Sequence, residues 1–353
     1  MPDRDHIVFC SEENFSEVLL SHTEEPRKFL VLADTNTAKY CYPILRDALP
    51  SIDDDSLIII DAGDEEKNIT NLHYIWSSMQ FRGADRNSCL INLGGGMVSD
   101  LGGFAASTYL RGIDHINIPT SLLGMVDASI GGKTSINISR VKNQAGTFAR
   151  AKAIIVNPVF LDTLPEEEFL SGYAEVLKTA IVFDRELYYD LLETKLEDLL
   201  MVDVIRKAAT IKQEVTAKDF HDRSERQCLN FGHTIGHGLE AFFLSKGQEL
   251  KHGFAVAAGM VCATYISAKV LNFPEQGLQQ ITNYIRRSFP PLKLRETDID
   301  DIIALIRHDK KKFQGEIRMS LLNSIENCTF GIAVPEEIIR ESVLYYLQYD
   351  VIN

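Results

Sequence analysis

Short, almost continuously apolar runs recur through the first half of the chain, at residues 28–33, 57–61, 89–93, 115–118 and 153–156. Between the second and third, Ile69, Leu72, Ile75, Trp76 and Met79 fall at the three-and-four spacing of one helix face, so residues 68–81 read as a helix. Strands that are apolar on both faces and alternate with helices predict a parallel sheet covered on both sides. After Pro158 the texture changes: residues 161–193, 199–217, 229–243, 256–271 and 276–288 all carry helical periodicity. The pattern predicts an α/β domain over residues 1–162 and a mostly α-helical domain over residues 163–353. The step between them falls near Pro158 to Pro165, where Asp162-Thr-Leu-Pro resembles a helix start. No long flexible linker separates the halves, so an active site in a cleft between them is expected.

Composition narrows the function classes. The 353 residues are 45% hydrophobic and 24% charged, as in a soluble globular protein. A formal charge of −14 argues against nucleic acid or an anionic membrane as partner. An anionic substrate would then need basic residues gathered in a pocket. Six scattered cysteines with no Cys-x-x-Cys pair fit reduced thiols in a cytoplasm. Neither a signal peptide nor an apolar run of about 18 residues stands out, so no membrane span is expected.

Three segments carry candidate chemistry. Leu93-Gly-Gly-Gly-Met-Val-Ser-Asp-Leu-Gly-Gly follows a strand and opens a helix, which suits a pyrophosphate at helix N–H groups. It is not the Gly-x-Gly-x-x-Gly fingerprint, because Ser99 takes the last glycine's place, and a tight structural turn explains it as well. Asp34, closing the first strand, suits a ribose hydroxyl or simply a turn or cap. Residues 111–143 gather Arg111, Thr120, Ser121, Asp127, Gly131-Gly-Lys133, Lys142 and Asn143, a set that fits an anion site better than a solvated loop. Finally, Glu175, His233 and His252 form a carboxylate-plus-two-imidazole set of the kind that holds a catalytic zinc. His237 lies four residues after His233 on the same helix face, and spacing alone does not choose between them. Lys178 adds a cation one turn after Glu175. By themselves Lys212, Arg226 and the run Asp309-Lys-Lys-Lys read as solvated charges.

The segments keep a definite order. Gly-Gly-Gly (94–96) leads to Asp100 and Gly103, then Arg-Gly (111–112), Pro-Thr-Ser-Leu-Leu (119–123), Val-Asp-Ala-Ser-Ile-Gly-Gly-Lys-Thr (126–134) and Lys-Asn (142–143). Ser-Gly-Tyr-Ala-Glu-Val-Leu-Lys (171–178), Leu-Asn-Phe-Gly-His-Thr-Ile-Gly-His (229–237), His-Gly (252–253) and Asp-Lys-Lys (309–311) follow. This ordered set resembles the 3-dehydroquinate synthase family of the shikimate pathway, from about Asp34 to Gly331. The resemblance implies a Rossmann-like first domain. It implies Zn2+ or Co2+ on Glu175, His233 and His252, which singles out His233 over His237. It places NAD around Asp34, Asp64, Lys67, Gly95, Gly96, Asp100, Thr120, Ser121, Asp127 and Lys142. Lys133, Asn143, Lys178, Lys212, Arg226, Asn230, His237 and Lys310 would serve a phosphorylated sugar-acid substrate. Arg111 would reach its phosphate, within the chain or across a homodimer interface.

The implied reaction turns 3-deoxy-D-arabino-heptulosonate 7-phosphate into 3-dehydroquinate and phosphate. NAD takes hydride at C5, phosphate leaves, hydride returns, the ring opens and an aldol step closes the carbocycle. The chain departs from the family pattern at Asp64 (for Glu), Ser121 (for Thr), Ala149-Arg150-Ala151, Phe220, His221 and Phe254. None of these touches a proposed metal ligand. Another sugar-phosphate cyclase, of the 2-deoxy-scyllo-inosose synthase kind, and a metal-dependent polyol dehydrogenase are the rival readings.

Overall fold

The computed structural model describes residues 4–23, 27–139, 141–309 and 316–349. The chain divides into two compact units, Met1–Phe169 with Lys212–His221, and Leu170–Ile211 with Asp222–Asn353.

In the first unit the elements run β1 (Ile7–Phe9), α1 (Phe15–Thr23), β2 (Phe29–Asp34), α2 (Thr35–Tyr40), α3 (Tyr42–Ala48) and β3 (Leu57–Ile60). Then come α4 (Ile69–Phe81), β4 (Cys89–Gly94), α5 (Gly96–Thr108), β5 (Asp114–Pro119), β6 (Lys133–Ile138), β7 (Val141–Phe148) and β8 (Ala153–Val156). Six strands form one sheet in the order β1-β8-β5-β4-β2-β3, all parallel. Central strands β4 and β8 are buried at every residue, because helices cover both faces. β3 lies at the sheet edge, and its Ile59 is exposed, so this strand alternates. Leu30, Leu32, Ile58, Leu72, Ile75, Met79, Leu90, Val98 and Leu101 pack as one core.

Three features differ from the sequence reading. β1 is a short extra strand beside β8. Residues 133–138 and 141–148, for which no strand was expected and which begin within the segment read as an anion site, pair as the antiparallel hairpin β6–β7. Its inward positions include Thr134, whose hydroxyl pairs with Thr147 Oγ1 at 2.7 Å, so the period-2 pattern carries a polar residue where an apolar one signals a strand. A π-helical turn, Gly124–Ala128, follows β5.

The second unit contains most of α6 (Glu166–Phe183) and α8 (Met201–Lys218), together with α7 (Arg185–Glu193), α9 (His233–Ser245), α10 (His252–Leu271), α11 (Glu275–Ser288), α12 (Ile299–Asp309) and α13 (Glu336–Gln348). Between α12 and α13 lies an antiparallel hairpin, β9 (Arg318–Ser324) and β10 (Asn327–Ala333), which the helical periodicity did not announce. The single run expected over 161–193 is broken at Asp184, whose side chain accepts from Leu187 N and so caps α7. Helix α10 is long and apolar enough to cross a membrane by length and composition, but most of it is buried within the protein, as in a core helix. All six cysteines are free thiols.

His115, on β5, is a buried group with a measurable consequence. Burial pushes its imidazole down to about 4, against the opposing charge of Asp114. Unfolded histidine titrates near pH 6.5, so below that pH the unfolded chain takes up a proton that the folded chain refuses. Folding stability is therefore lost as pH falls from about 6.5 to 4, by roughly 2 kcal/mol at pH 5. In urea unfolding at pH 7.5 and pH 5, His115→Asn is expected to lose about that much less than the parent. Equal losses would exclude His115 as the cause.

Candidate active site and metal centre

In the second unit, α6 is buried from Ser171 to Val182, so the carboxylate of Glu175 sits where a core side chain would. Glu175 is fully buried. Its Oε2 accepts from the Lys178 ammonium, one turn along the same helix and equally buried. Its Oε1 has no hydrogen-bond partner. That oxygen lies 3.4 Å from His233 Nε2 and 3.4 Å from His252 Nε2.

Two glycines place the histidines. Gly253 N donates to Ser171 Oγ at 2.9 Å, and a Cβ on Gly253 would lie 2.0 Å from the Ser171 carbonyl oxygen. Only glycine lets the start of α10 come this close to α6, which seats His252 beside Glu175. Gly232 precedes α9 at φ +80°, and a Cβ there would meet Met260 and Val256 of α10. The next residue is His233, whose Nδ1 donates to the Phe231 carbonyl at 3.2 Å and so turns Nε2 toward Glu175. His237, exposed, stands one turn on, its ring centroid 5.4 Å from that of His233. Of the two α9 histidines, His233 is therefore the one that joins Glu175.

Burial alone would push the Glu175 carboxyl up, but Lys178, His233 and His252 together hold it well below the usual carboxylate range. Burial also pushes His233 well down, toward the neutral form that ligates, whereas Glu175 and Glu240 overcome burial at His252 and push it up to about 10, so a metal there would displace a proton. A buried carboxylate oxygen without a hydrogen bond, faced by two imidazole nitrogens, is a donor set suited to a cation. One oxygen and two nitrogens are the donors zinc or cobalt takes while leaving positions open for substrate. His237, Glu240 and His252 form an overlapping second set. Arg226, buried, and Asn230, exposed, lie on the 3-10 segment Glu225–Asn230 just before α9.

In the first unit, the candidates for NAD gather in two groups. Asp34, Gly95, Gly96, Thr120 and Ser121 stand at the carboxyl ends of β2, β4 and β5, which are neighbours in the sheet. Ligands of open parallel sheets bind at that edge. The first turn of α5 has no side-chain cap, so its N–H groups suit an anion. Asp34 caps α2, its Oδ1 accepting from Asn36 N and Thr37 N, so the cap reading holds for that oxygen. The second group centres on buried Lys67, which donates to Asp100 Oδ2 at 2.9 Å and Asn143 Oδ1 at 2.7 Å and lies 3.6 Å from Asp64. Lys142 is 3.4 Å from Asp64. Burial pulls the Asp100 carboxyl up in spite of Lys67, whereas Lys67 and Lys142 overcome burial at Asp64 and hold it down. Asn143, assigned to substrate by resemblance, thus sits within this network.

Also in this unit, Lys212 donates to Asp127 at 2.6 Å. Lys133 is exposed at the start of β6. Arg111 is exposed beyond the far end of α5. Thirteen helical residues separate it from Gly95, about 20 Å of helix. The parallel connection from β4 to β5 puts Arg111 at the amino edge of the sheet, away from Gly95, Gly96, Thr120 and Ser121. Lys310, with Lys311, lies outside the described residues. Among the departures, Phe254 is buried against Phe289, and Phe220 lies under the Arg150 guanidinium. The sequence reading missed Glu240, although its spacing from His233 and His237 puts it on their helix face.

Solved structures share this fold. A 2-epi-5-epi-valiolone synthase from Streptomyces hygroscopicus, with NAD+ and Zn2+ bound, is 26% identical at a TM-score of 0.85, covering 98% of this chain and 97% of that one. A 2-deoxy-scyllo-inosose synthase, complexed with carbaglucose-6-phosphate, NAD+ and Co2+, is 20% identical at a TM-score of 0.82, covering 95% of each chain. A probable glycerol dehydrogenase from Sinorhizobium meliloti has a TM-score of 0.67 at 13% identity, covering 97% of this chain and 96% of that one. The fold thus belongs to a class found in a 2-epi-5-epi-valiolone synthase, a 2-deoxy-scyllo-inosose synthase and a probable glycerol dehydrogenase.

Within that class the sequence comparisons discriminate. Residues 57–171 match the 3-dehydroquinate synthase N-terminal family and residues 172–312 the C-terminal family. The 3-dehydroquinate synthase of Parabacteroides distasonis is 38% identical over 90% of this chain and 91% of its own. That of Synechocystis is 36% identical over 81% of each. The chain belongs to the 3-dehydroquinate synthase family.

Proposed function

We propose that the chain converts 3-deoxy-D-arabino-heptulosonate 7-phosphate to 3-dehydroquinate and phosphate, with NAD and a divalent zinc or cobalt ion. The observation that carries this reading is the buried Glu175 Oε1, without a hydrogen bond and faced by Nε2 of His233 and of His252. Those three residues would hold the metal. The carboxyl edge of β2, β4 and β5, with the Lys67 network, would hold the dinucleotide. The chemistry these groups supply when bound is polarisation of a substrate hydroxyl and reversible hydride transfer.

The chain's own residues do the positioning. Lys178 balances the Glu175 charge and offers a cation to an anionic substrate. Lys212, held by Asp127, with Lys133 and Asn143 of the first unit, and Arg226 and Asn230 of the second, would supply charge and hydrogen bonds for carboxylate and phosphate. His237, exposed beside His233, would move a proton at a substrate hydroxyl or phosphate oxygen. The position of Arg111 at the opposite sheet edge favours a homodimer in which that arginine serves the partner's phosphate. A cytoplasmic location, with neither nucleic acid nor membrane as partner, fits the −14 charge and the free cysteines.

The test is phosphate release from the heptulosonate 7-phosphate by the purified chain with NAD and zinc, with and without chelator, while NADH absorbance is followed. Chelator-sensitive release without accumulating NADH is expected. NADH accumulating on simple polyols, with no phosphate release, would move the chain to the dehydrogenases.

A further inference from the structure

One buried carboxylate beside the metal centre belongs to none of the assigned roles. Glu240, on α9, lies two turns after His233, and seven-residue spacing keeps it on the same helix face. It is 7% exposed and is flanked along the helix by Leu239, Phe242 and Phe243, all buried. A carboxylate is rarely that buried unless it is paired. Its Oε2 lies 3.4 Å from Nδ1 of His252, while Nε2 of the same ring lies 3.4 Å from Glu175 Oε1. His252 thus spans two carboxylates, one at each ring nitrogen.

We propose that Glu240 is the residue that orients His252 for metal binding. A carboxylate only accepts, so the nitrogen facing it must carry the hydrogen. In a neutral ring the other nitrogen then has the free lone pair. Glu240 therefore fixes Nδ1–H and leaves Nε2 directed at the position shared with Glu175 and His233. His252 needs such a partner. It is the first residue of α10, its side chain is 30% exposed, and packing holds it only in part. His233 meets the same need through the Phe231 carbonyl. The alternative, a separate metal on His237, Glu240 and His252, would require Nδ1 of His252 as ligand and a second ion per chain. The assignment rests on the metal centre proposed above.

The test titrates metal-free protein with zinc, and with cobalt while its visible absorption is followed, in the parent, Glu240→Ala, Glu240→Gln and Glu240→Asp. The parent is expected to bind one ion. Glu240→Ala should weaken binding about 10- to 100-fold and alter the cobalt spectrum, as loss of a ligand's hydrogen-bond partner does. Glu240→Gln keeps an oxygen that can accept from Nδ1, so it should recover most of the affinity and the parent spectrum. Unchanged affinity and spectrum in a folded Glu240→Ala would overturn the proposal. So would a Gln variant as weak as Ala, or two ions bound by the parent. If Glu240→Ala does not fold, Glu240→Asp decides: its shorter side chain should weaken binding, and parent affinity would refute the role. A parent that binds no metal at all would remove the metal centre itself, a failure distinct from that of Glu240.

Discussion

Replacing His233 by alanine is expected to leave the protein folded but unable to retain its metal, and to cut turnover by about a thousandfold or more. The size follows from the several kcal/mol that a bound cation contributes to a charged transition state, at 1.36 kcal/mol per tenfold. The fold should survive because the buried charge of Glu175 keeps its Lys178 partner on Oε2. Only the unbonded Oε1 loses a neighbour. His237→Ala is the control. Its ring stands beside those of His233 and His252 but is exposed, whereas the two others face Glu175 Oε1 at 3.4 Å, so that variant should keep its metal and lose turnover. Metal content after dialysis against a weak chelator, measured beside phosphate release, separates the two. Full metal content and full activity in His233→Ala would refute the centre described here.

The contrast between those two histidines shows how far the sequence could be read. Strands β4 and β8 were legible because both faces of each are buried, so their residues are apolar almost throughout, Asn92 of β4 being the exception. Hairpin β6–β7 was not, because its buried Thr134 makes a hydroxyl contact with Thr147 and looks like a loop residue. The motif Asn230-Phe-Gly-His-Thr-Ile-Gly-His supplies two histidines on one helix face, and local spacing treats them alike. What separates them is the α10 backbone packed at Gly232 and the Phe231 carbonyl at Nδ1, neither of which periodicity reveals. The Lys212–Asp127 pair, 85 residues apart, was invisible for a different reason. Lys212 reaches Asp127 because the chain returns to the first unit for residues 212–221, whereas helical periodicity runs unbroken through that point. Asp34 illustrates the opposite case, a residue whose two readings are compatible. One carboxylate oxygen caps α2, at the strand end where a ribose hydroxyl would lie.

Lys178→Met is expected to have the complementary effect, a large loss of stability in the metal-free protein with metal binding retained. Lys178 and Glu175 are 1% and 0% exposed, and removing one partner of a buried pair costs about 3–5 kcal/mol. Methionine fills the space of the lysine stem, so the loss reports the uncompensated charge rather than a cavity. The pH dependence identifies the cause. In the parent, the depressed Glu175 carboxyl gives stability that is present above the unfolded value near 4.3 and is lost as pH falls further. In the variant, burial acts with less opposition and the carboxyl shifts upward, so the difference between the two proteins should shrink as pH drops through 5 to 4. Zinc should also close part of the gap, because a dication on Oε1 supplies the charge that lysine supplied on Oε2, and a ligand that binds only the folded state stabilises it by mass action. Metal-free melting curves at pH 7.5 and pH 4.5, repeated with zinc at the higher pH, give the three readings. Equal melting of variant and parent at pH 7.5 without metal would mean that the lysine is not what keeps Glu175 charged. The imidazoles of His233 and His252 would then have to carry that role instead.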